Sequence, residues 1–302
     1  MNNSDSNMDL ENLKKEIKVK AKDIGMDLVG ITNLERLKNT PKRFRATDYL
    51  PNAQSVIVVG SHFPDGIVEN WNKTPSSYQY YGYALINKEL GRACFHISKL
   101  VESRGYRCFP IVPTGHSKDM DHVAMRGEFS HRHAAVAAGL GEIGYNRLVI
   151  TPQFGNRVRF CSIITEAPLE ADDMYKGPSL CDRCKKCIDA CPGRCLDEEN
   201  LLKCTIGDKT YEYTRLYQFK CFTYLLGLGR GTGSQLDIPF SKKKGELSQF
   251  NFLKRFIKAA ITRFQKFIYI REQQSAVDWY EYCGRCLHVC DRPKHRFEMD
   301  NE

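Results

Sequence analysis

The sequence has 302 residues, of which 42% are hydrophobic and 27% charged, a composition that excludes a disordered chain. The first residues contain no apolar core of a signal peptide, and no apolar run approaches the length of a membrane span. The formal net charge is +9, but the range 241–271 alone holds nine basic residues and one acidic residue. We therefore expect a cytoplasmic, globular protein with its charge concentrated in one segment, and no nucleic-acid partner.

Helices and strands alternate through the first 170 residues. Apolar residues at helical spacing predict a helix over 10–24 that ends at Gly25, and short apolar runs predict buried strands at 28–31 and 55–59. The further predicted elements are a helix over about 84–103, a strand at 106–112, a helix near 131–138, and strands at 148–151 and 158–165. This alternation predicts an α/β (α+β) fold in which helices cover a sheet.

Seven of the 13 cysteines lie in two motifs, and within each motif the cysteines are closely spaced. CDRCKKCIDACP has the spacing C-x2-C-x2-C-x3-C-P, and CGRCLHVC repeats its last part; together they contain Cys181, Cys184, Cys187, Cys191, Cys283, Cys286 and Cys290. Three thiolates on one tight turn can bind three corners of a [4Fe–4S] cluster, while the fourth Cys ligates another cluster in two-cluster ferredoxins. The motifs therefore predict two [4Fe–4S] clusters and a role in electron transfer.

Structural zinc and disulfides are the alternatives for these cysteines. Zinc sites also use C-x2-C pairs, but in closed sets of four, without a third Cys at the same spacing or a following Cys-Pro. Disulfides do not suit a protein of the cytoplasm, where thiols stay reduced. The cluster interpretation is therefore favoured.

Two clusters need eight thiolates, and the motifs supply seven. The predicted sets are Cys181, Cys184, Cys187 and Cys290 for one cluster, and Cys191, Cys283, Cys286 and one further cysteine for the other. Cys204 and Cys221 both lie between the motifs, and the spacing leaves both open. The other cysteines, Cys195 among them, are expected to be small buried hydrophobic residues.

The basic segment at 241–271 has apolar residues at helical spacing, which predicts an amphipathic helix inserted between the two cysteine motifs. Such a helix can pack its apolar face on the core and leave its charges in water. Two other roles remain open: docking to an acidic electron donor, and peripheral contact with an anionic membrane through residues 249–271.

From about Asp27 to Pro293 the chain resembles the cobalamin-dependent iron–sulfur reductases, which include epoxyqueuosine reductases and reductive dehalogenases. The matching segments are MDLVGIT, LPNAQSVIVVGSHFP, AGLGEIGYNRLVITPQFGNRVRF, SIITEAPLE, KCFTYLL and the two cysteine motifs. The resemblance implies a nitroreductase-like, corrinoid-binding domain over 1–170 and a ferredoxin-like domain with both clusters over 171–302. It also favours Cys221 as the eighth ligand, because KCFTYLL resembles the family segment that completes the second cluster.

The resemblance further assigns residues to a cobalamin site. The matching positions that would line the corrinoid pocket are His62, Phe63, Val149, Phe160 and Thr223. Gly139, Gly141 and Gly144 would let the backbone approach a large flat ligand, since a Cβ would intrude there. Ordinary helix ends and turns are the alternative explanation for these glycines.

Candidate catalytic residues come from the neighbouring sequence. Epoxyqueuosine reductases place a proton-donating aspartate 14 residues before the first Gly of AGLG, where this chain has Met125. His131 is the first candidate for the missing proton donor because its side chain titrates near neutral pH, and Glu128 is the second. Capping or packing at a helix start is the alternative for His131. Arg159 lies about where the family has a basic residue.

Together these features predict a cobalamin-dependent reductase of a small-molecule substrate, with a ferredoxin or flavodoxin as electron donor. The alternative is an iron–sulfur electron-transfer or corrinoid-reactivating protein without a substrate of its own.

Overall fold

The computed structural model describes residues 3–40, 45–71, 73, 75–114, 127–225 and 283–291. The predicted basic helix at 241–271, with its proposed membrane contact at 249–271, and Met125 lie outside these ranges. Among the described helices, none combines the length and the apolar character that a bilayer span requires.

The helices, in chain order, are α1 (Asn3–Asp23), α2 (Ala46–Tyr49), α3 (Asp65–Glu69), α4 (Pro75–Gln79), α5 (Ile86–Ser103), α6 (His131–Ala137), α7 (Lys186–Asp189), α8 (Gln218–Leu225) and α9 (Arg285–His288). The strands are β1 (Leu28–Asn33), β2 (Ser55–His62), β3 (Cys108–Pro110), β4 (Glu142–Ile143), β5 (Val149–Ile150), β6 (Val158–Thr165), β7 (Leu196–Ile206) and β8 (Lys209–Leu216). A 3-10 turn at Glu35–Leu37 follows β1, and a π-helical segment at Tyr80–Leu85 joins α4 to α5.

The central element is a four-stranded antiparallel sheet with the strand order β1-β2-β6-β3. The run SVIVVGSH forms β2, since its β-branched residues favour a pleated, buried strand, and its first six residues are buried. The register places Val59 opposite Cys161 and His62 opposite Val158. The apolar runs predicted these strands, but such runs do not encode strand direction.

Helices cover both faces of this sheet. Leu13 of α1 and Leu90 of α5 pack in one core cluster with Ile57 of β2. On the other face, the alanines of α6 pack with Val56 and Val58. Successive residues of β2 therefore enter opposite layers, as the two-residue period of a strand requires. The predicted mixed fold of helices and strands is confirmed.

Asp172 fixes the segment after β6 to the sheet domain, by which we mean the four-stranded sheet and the helices packed on it. Its carboxylate accepts a hydrogen bond from the backbone N–H of Ile31 (2.9 Å) and pairs with Lys14 (3.0 Å) and Lys18 (2.7 Å). Its carbonyl oxygen accepts a hydrogen bond from Arg36 Nη1 (2.5 Å). The connection between the sheet and the cysteine motifs is therefore held against α1 and β1.

A hairpin that the sequence analysis did not predict follows the first cysteine motif. β7 and β8 pair in antiparallel register around Gly207, whose φ of +59° suits a residue without a Cβ. The hairpin leads from Cys195 to α8, which carries Cys221. The hairpin thereby brings the segment at Cys195 next to the start of α8.

Candidate metal centre

The first predicted ligand set comes together in the structure. Cys181, Cys184, Cys187 and Cys290 line one concave site, in which Cys187 is buried and Cys184 is exposed. Burial, followed by the charges of the other three thiols, raises the pKa of Cys187 to about 12. The four sulfurs therefore lie close enough to interact, as ligands of one cluster must.

A tight turn places these sulfurs on one side of the chain. Arg183 (φ +55°) and Lys185 (φ +64°) adopt the left-handed conformation, which costs a non-glycine residue about 1 kcal/mol. The backbone N–H of Tyr145 donates a hydrogen bond to Cys181 Sγ (3.3 Å). Lys186 Nζ lies 2.6 Å from Asp291 Oδ2 and so links the two cysteine motifs.

The second group contains Cys191, Cys221, Cys283 and Cys286. Burial, with smaller contributions from the charges of Cys221 and Cys191, raises the pKa of Cys283 to about 11. Burial also raises the pKa of Cys286, and the charges of Cys283, Cys221 and Cys191 act in the same direction. The group therefore joins residues from three separate segments of the chain.

Cys204 does not join either group. It lies in β7 opposite Tyr211, is 9% exposed, and accepts its hydrogen bond from the side chain of Tyr213. The structure thus brings Cys221 to the second group and leaves Cys204 in the hairpin. Within the described ranges, no three His, Cys, Asp or Glu side chains are arranged to hold a single metal ion, as structural zinc sites do.

The second group lies against the sheet domain. Asn146 Nδ2 donates a hydrogen bond to the carbonyl oxygen of Cys286 (2.9 Å), and His288 Nδ1 lies 2.7 Å from the carbonyl oxygen of Val68. The guanidinium of Arg285 lies over the ring of Trp71, 5.0 Å from its centroid. These contacts dock α9 onto helix α3 and onto the segments that hold Trp71 and Asn146.

Two of the predicted corrinoid contacts lie at the end of β2. His62 stacks on Phe154 (4.6 Å between centroids), and its Nε2 lies 3.3 Å from Asp65 Oδ1. Arg157 Nη1 lies 2.8 Å from the same oxygen, so three little-exposed polar side chains meet here. Phe63 is 1% exposed in the core. Asp65 was not predicted, because a single acidic residue after a strand gives no specific signal.

The other predicted corrinoid contacts are packed within the protein. Val149 and Phe160 are 3% and 8% exposed in the second core cluster. Thr223 lies in α8, and its side chain is outside the described part.

The glycines are explained by contacts within the chain. Gly139 (φ +79°) ends α6, and a Cβ there would lie 1.9 Å from the carbonyl oxygen of Asp173. A Cβ on Gly141 would lie 2.1 Å from the carbonyl oxygen of Ile150, and one on Gly144 would lie 2.7 Å from Ile150 Cδ1. The alternative of helix ends and turns therefore accounts for Gly139 and Gly141 without a ligand, whereas a Cβ at Gly144 would meet the movable end of the Ile150 side chain.

His131, the first predicted catalytic residue, makes hydrogen-bonding contacts through its ring. His131 Nδ1 lies 2.9 Å from Ser162 Oγ and its Nε2 lies 3.0 Å from the carbonyl oxygen of Val112, so both ring nitrogens are engaged. Burial lowers the pKa of His131 to about 4.

Glu128 and Arg159 contact different residues from those that contact His131. The carbonyl oxygen of Glu128 accepts a hydrogen bond from the hydroxyl of Tyr49 (2.7 Å). Arg159 lies over the ring of Tyr83 (4.1 Å to the centroid), and its Nη1 lies 3.3 Å from Asn87 Oδ1. The catalytic roles of His131, Glu128 and Arg159 stay predictions.

Comparison with known proteins identifies similar sequences, although no family model matches the chain. An epoxyqueuosine reductase of Gloeobacter violaceus is 30% identical over 174 residues, which cover 56% of this chain and 49% of that protein. One of Bacillus cereus is 25% identical over 209 residues (61% and 52%). A tetrachloroethene reductive dehalogenase of Desulfitobacterium hafniense is 45% identical over 67 residues (22% and 12%). The chain spans about half the length of the epoxyqueuosine reductases it matches.

Solved structures share the fold. A selenomethionine-labelled epoxyqueuosine reductase aligns with a TM-score of 0.50 at 18% identity, over 93% of this chain and 65% of the other. A catabolic reductive dehalogenase aligns with a TM-score of 0.50 at 19% identity, over 69% of this chain and 28% of the other.

The expectation of no nucleic-acid partner is wrong. One similar structure, with a TM-score of 0.43 over 62% of this chain and 53% of the other, is an epoxyqueuosine reductase with a tRNA-Tyr epoxyqueuosine-modified tRNA stem loop. Our expectation considered only where the net charge lies, and the location of charge does not exclude an RNA partner. The resemblance is confirmed, since epoxyqueuosine reductases and a tetrachloroethene reductive dehalogenase match parts of the chain in sequence.

Proposed function

We propose that this chain is an oxidoreductase that holds two [4Fe–4S] clusters and uses a bound corrinoid to reduce an organic substrate. A ferredoxin or flavodoxin would supply the electrons. The observation that carries the proposal is the meeting of three distant segments, which bring the eight predicted ligand cysteines into two groups of four.

The composition of both groups supports clusters. Thiolates gathered in a partly buried site repel one another unless a metal offsets their charge. One group would hold a cluster through Cys181, Cys184, Cys187 and Cys290, and the other through Cys191, Cys221, Cys283 and Cys286. When bound, the clusters and the corrinoid would supply one-electron chemistry at low potential.

The corrinoid part of the proposal depends on the sequence resemblance. Phe63, Val149 and Phe160 pack in the core, and the glycines approach other parts of the chain, so these residues give no independent support. The polar group of His62, Asp65 and Arg157 at the end of β2 is a better place for contacts with a large polar cofactor, since its side chains are fixed by one another.

The surroundings of the first group suit an electron donor. Cys184 is exposed, and Arg183, Lys185 and Lys186 line the same site. Each of these cations is paired with a carboxylate of the chain, so the exposure of Cys184, rather than a net positive charge, is what would admit a carrier protein to this cluster.

RNA that carries a modified nucleoside is the first substrate class to test. The relatives with the longer alignments, over 174 and 209 residues, are named epoxyqueuosine reductases. A small organohalide is the second class, since the shorter match is to a tetrachloroethene reductive dehalogenase.

A second candidate function is electron transfer without a substrate. The engagement of both His131 nitrogens favours it, because that leaves the first predicted proton donor already bonded to Ser162 and Val112. The presence of Met125 at the aspartate position favours it as well.

Iron and sulfide analysis after anaerobic purification tests the cluster part. We expect about eight iron and about eight sulfide per chain. Cys187→Ala should lose about half of the iron, because it removes one ligand of the first cluster. Cys204→Ala is a matched control, since Cys204 and Cys187 are both 9% exposed, and it should lose none. A wild-type content near four iron would contradict the two-cluster proposal.

Cobalamin titration followed by gel filtration separates the two candidate functions. Retention of one cobalamin per chain supports the reductase, and failure of the cluster-replete protein to retain any supports the electron-transfer protein. A gel-shift assay with an epoxyqueuosine-modified stem loop, against the unmodified stem loop, then tests the RNA substrate class.

A further inference from the structure

Cys195 lies in the second thiol group although it is outside both cysteine motifs. Its side chain is 2% exposed. Its backbone N–H donates a hydrogen bond to Cys191 Sγ (3.2 Å), and its thiol interacts with the thiols of Cys191 and Cys221. The second group therefore contains five thiols, one more than a cluster can use.

The turn before Cys195 permits this close approach. Arg194 adopts a left-handed conformation (φ +46°), and its N–H donates a hydrogen bond to the carbonyl oxygen of Cys191 (3.0 Å). A Cβ on Gly193 would lie 2.6 Å from Cys195 Sγ and 2.6 Å from the ring of Tyr224. A larger residue at position 193 would therefore displace the sulfur of Cys195 or the ring of Tyr224.

Cys195 and Cys221 are also joined through the backbone. The N–H of Tyr217 donates a hydrogen bond to the carbonyl oxygen of Cys195 (2.8 Å), and the carbonyl oxygen of Tyr217 accepts one from the N–H of Cys221 (3.0 Å). These bonds connect the start of β7 to the first turn of α8. The backbone of Tyr217 therefore holds Cys195 and Cys221 near each other.

We propose that Cys195 and Cys221 are interchangeable ligands of one iron of the second cluster. Either thiolate would complete the set with Cys191, Cys283 and Cys286, and the inference rests on the proposed function. Each iron of a [4Fe–4S] cluster takes one cysteine, so only one of the two is bound at a time. The exchange moves no electrons, because the entering thiol gives up a proton and the leaving thiolate takes one.

Iron analysis of three variants tests the exchange. Cys221→Ala and Cys195→Ala should each keep about eight iron, whereas the double variant should keep about four, all in the first cluster. Cys204→Ala serves as the control for loss of a buried thiol, since Cys204 lies in the hairpin that joins Cys195 to Cys221. Electron paramagnetic resonance of the reduced second cluster should differ between the two single variants, since its ligand differs. If the double variant fails to fold, Cys195→Ala combined with Cys221→Val keeps the side-chain volume without a ligand.

The opposite results are distinct. Loss of about half of the iron in either single variant would overturn the exchange, because the remaining thiol would then have failed to ligate. Retention of eight iron in the double variant would overturn it too. A wild-type protein without iron would overturn the proposed function and this inference together, whereas an intact wild type with a depleted single variant overturns the inference alone.

Discussion

The sheet domain and the cysteine segments are ordered by different forces. The sheet is covered on both faces, and residues such as Ile57, Ile163 and Ile97 have no exposed surface. The cysteine segments, residues 181–195 and 283–291, bury few side chains, among them Cys187, Cys195 and Leu287, and their shape depends on left-handed turns and on thiols placed near one another. Hydrophobic burial therefore contributes mainly to the first region, and under the proposed function the bound clusters would stabilise the second.

Removal of the metal should have the largest effect and should separate the two regions. We expect the cluster-free protein to lose order in residues 181–195 and 283–291, because the grouped thiols then no longer share a ligand. Strands β2 and β6 should keep their slow amide exchange, which hydrogen exchange with mass spectrometry can measure. Uniform protection before and after removal would show that the cysteine segments fold without metal.

A cavity in the sheet should produce the converse result. Ile163→Ala removes a side chain with no exposed surface and should lower the free energy of unfolding by about 2–5 kcal/mol. Urea denaturation followed by circular dichroism measures this change. The iron content of the folded variant should stay the same, and a loss of iron would mean that the regions are not independent.

Gly139 tests whether the AGLG segment serves the fold or the cofactor. Gly139→Ala should lower the free energy of unfolding by about 2 kcal/mol, because it strains a positive φ and forces a Cβ against the carbonyl oxygen of Asp173. Gly66→Ala in α3 is the control, since a Cβ there meets nothing within 4 Å. Normal stability with weakened cobalamin binding would instead assign Gly139 to the corrinoid.

The smallest expected effect concerns His131 and pH. Its pKa in the folded protein is lowered to about 4 by burial, below its usual value near 6.5, so the unfolded chain binds the proton first as pH falls. The stability that the neutral ring contributes is complete above pH 6.5 and is lost as pH falls towards 4, by about 1–2 kcal/mol at pH 5. Urea titrations at pH 7.5 and pH 5 should show this loss, and His131→Gln should reduce it. An unchanged pH dependence in the variant would mean that His131 takes up its proton at its ordinary pKa in the folded protein.

Periodicity predicted the elements of the sheet domain because each buries a regular face. The helix at α1 and the strands β2 and β6 lie where their apolar residues predicted them. The predicted start of α5 was less accurate, since the π-helical segment at Tyr80–Leu85 continues the same apolar pattern with a different hydrogen-bond spacing.

In the cysteine region, spacing predicted which cysteines would come together, but only for residues within the motifs. Cys195 was classed with the buried hydrophobic cysteines because a single Cys after Cys-Pro-Gly-Arg carries no spacing rule. Its place became visible only through the hairpin of β7 and β8, whose charged and polar residues gave no clear strand pattern. Long-range pairing of this kind cannot be read from local sequence.

Asp172 gives the two regions a fixed separation. Its carboxylate contacts the N–H of Ile31 and the ammonium groups of Lys14 and Lys18, and these contacts restrict movement of the connecting segment. Electron transfer between fixed centres depends steeply on the gap between them. Under the proposed function, the gap between centres held by the two regions would be set when the chain folds, and electrons would pass between them without a domain movement.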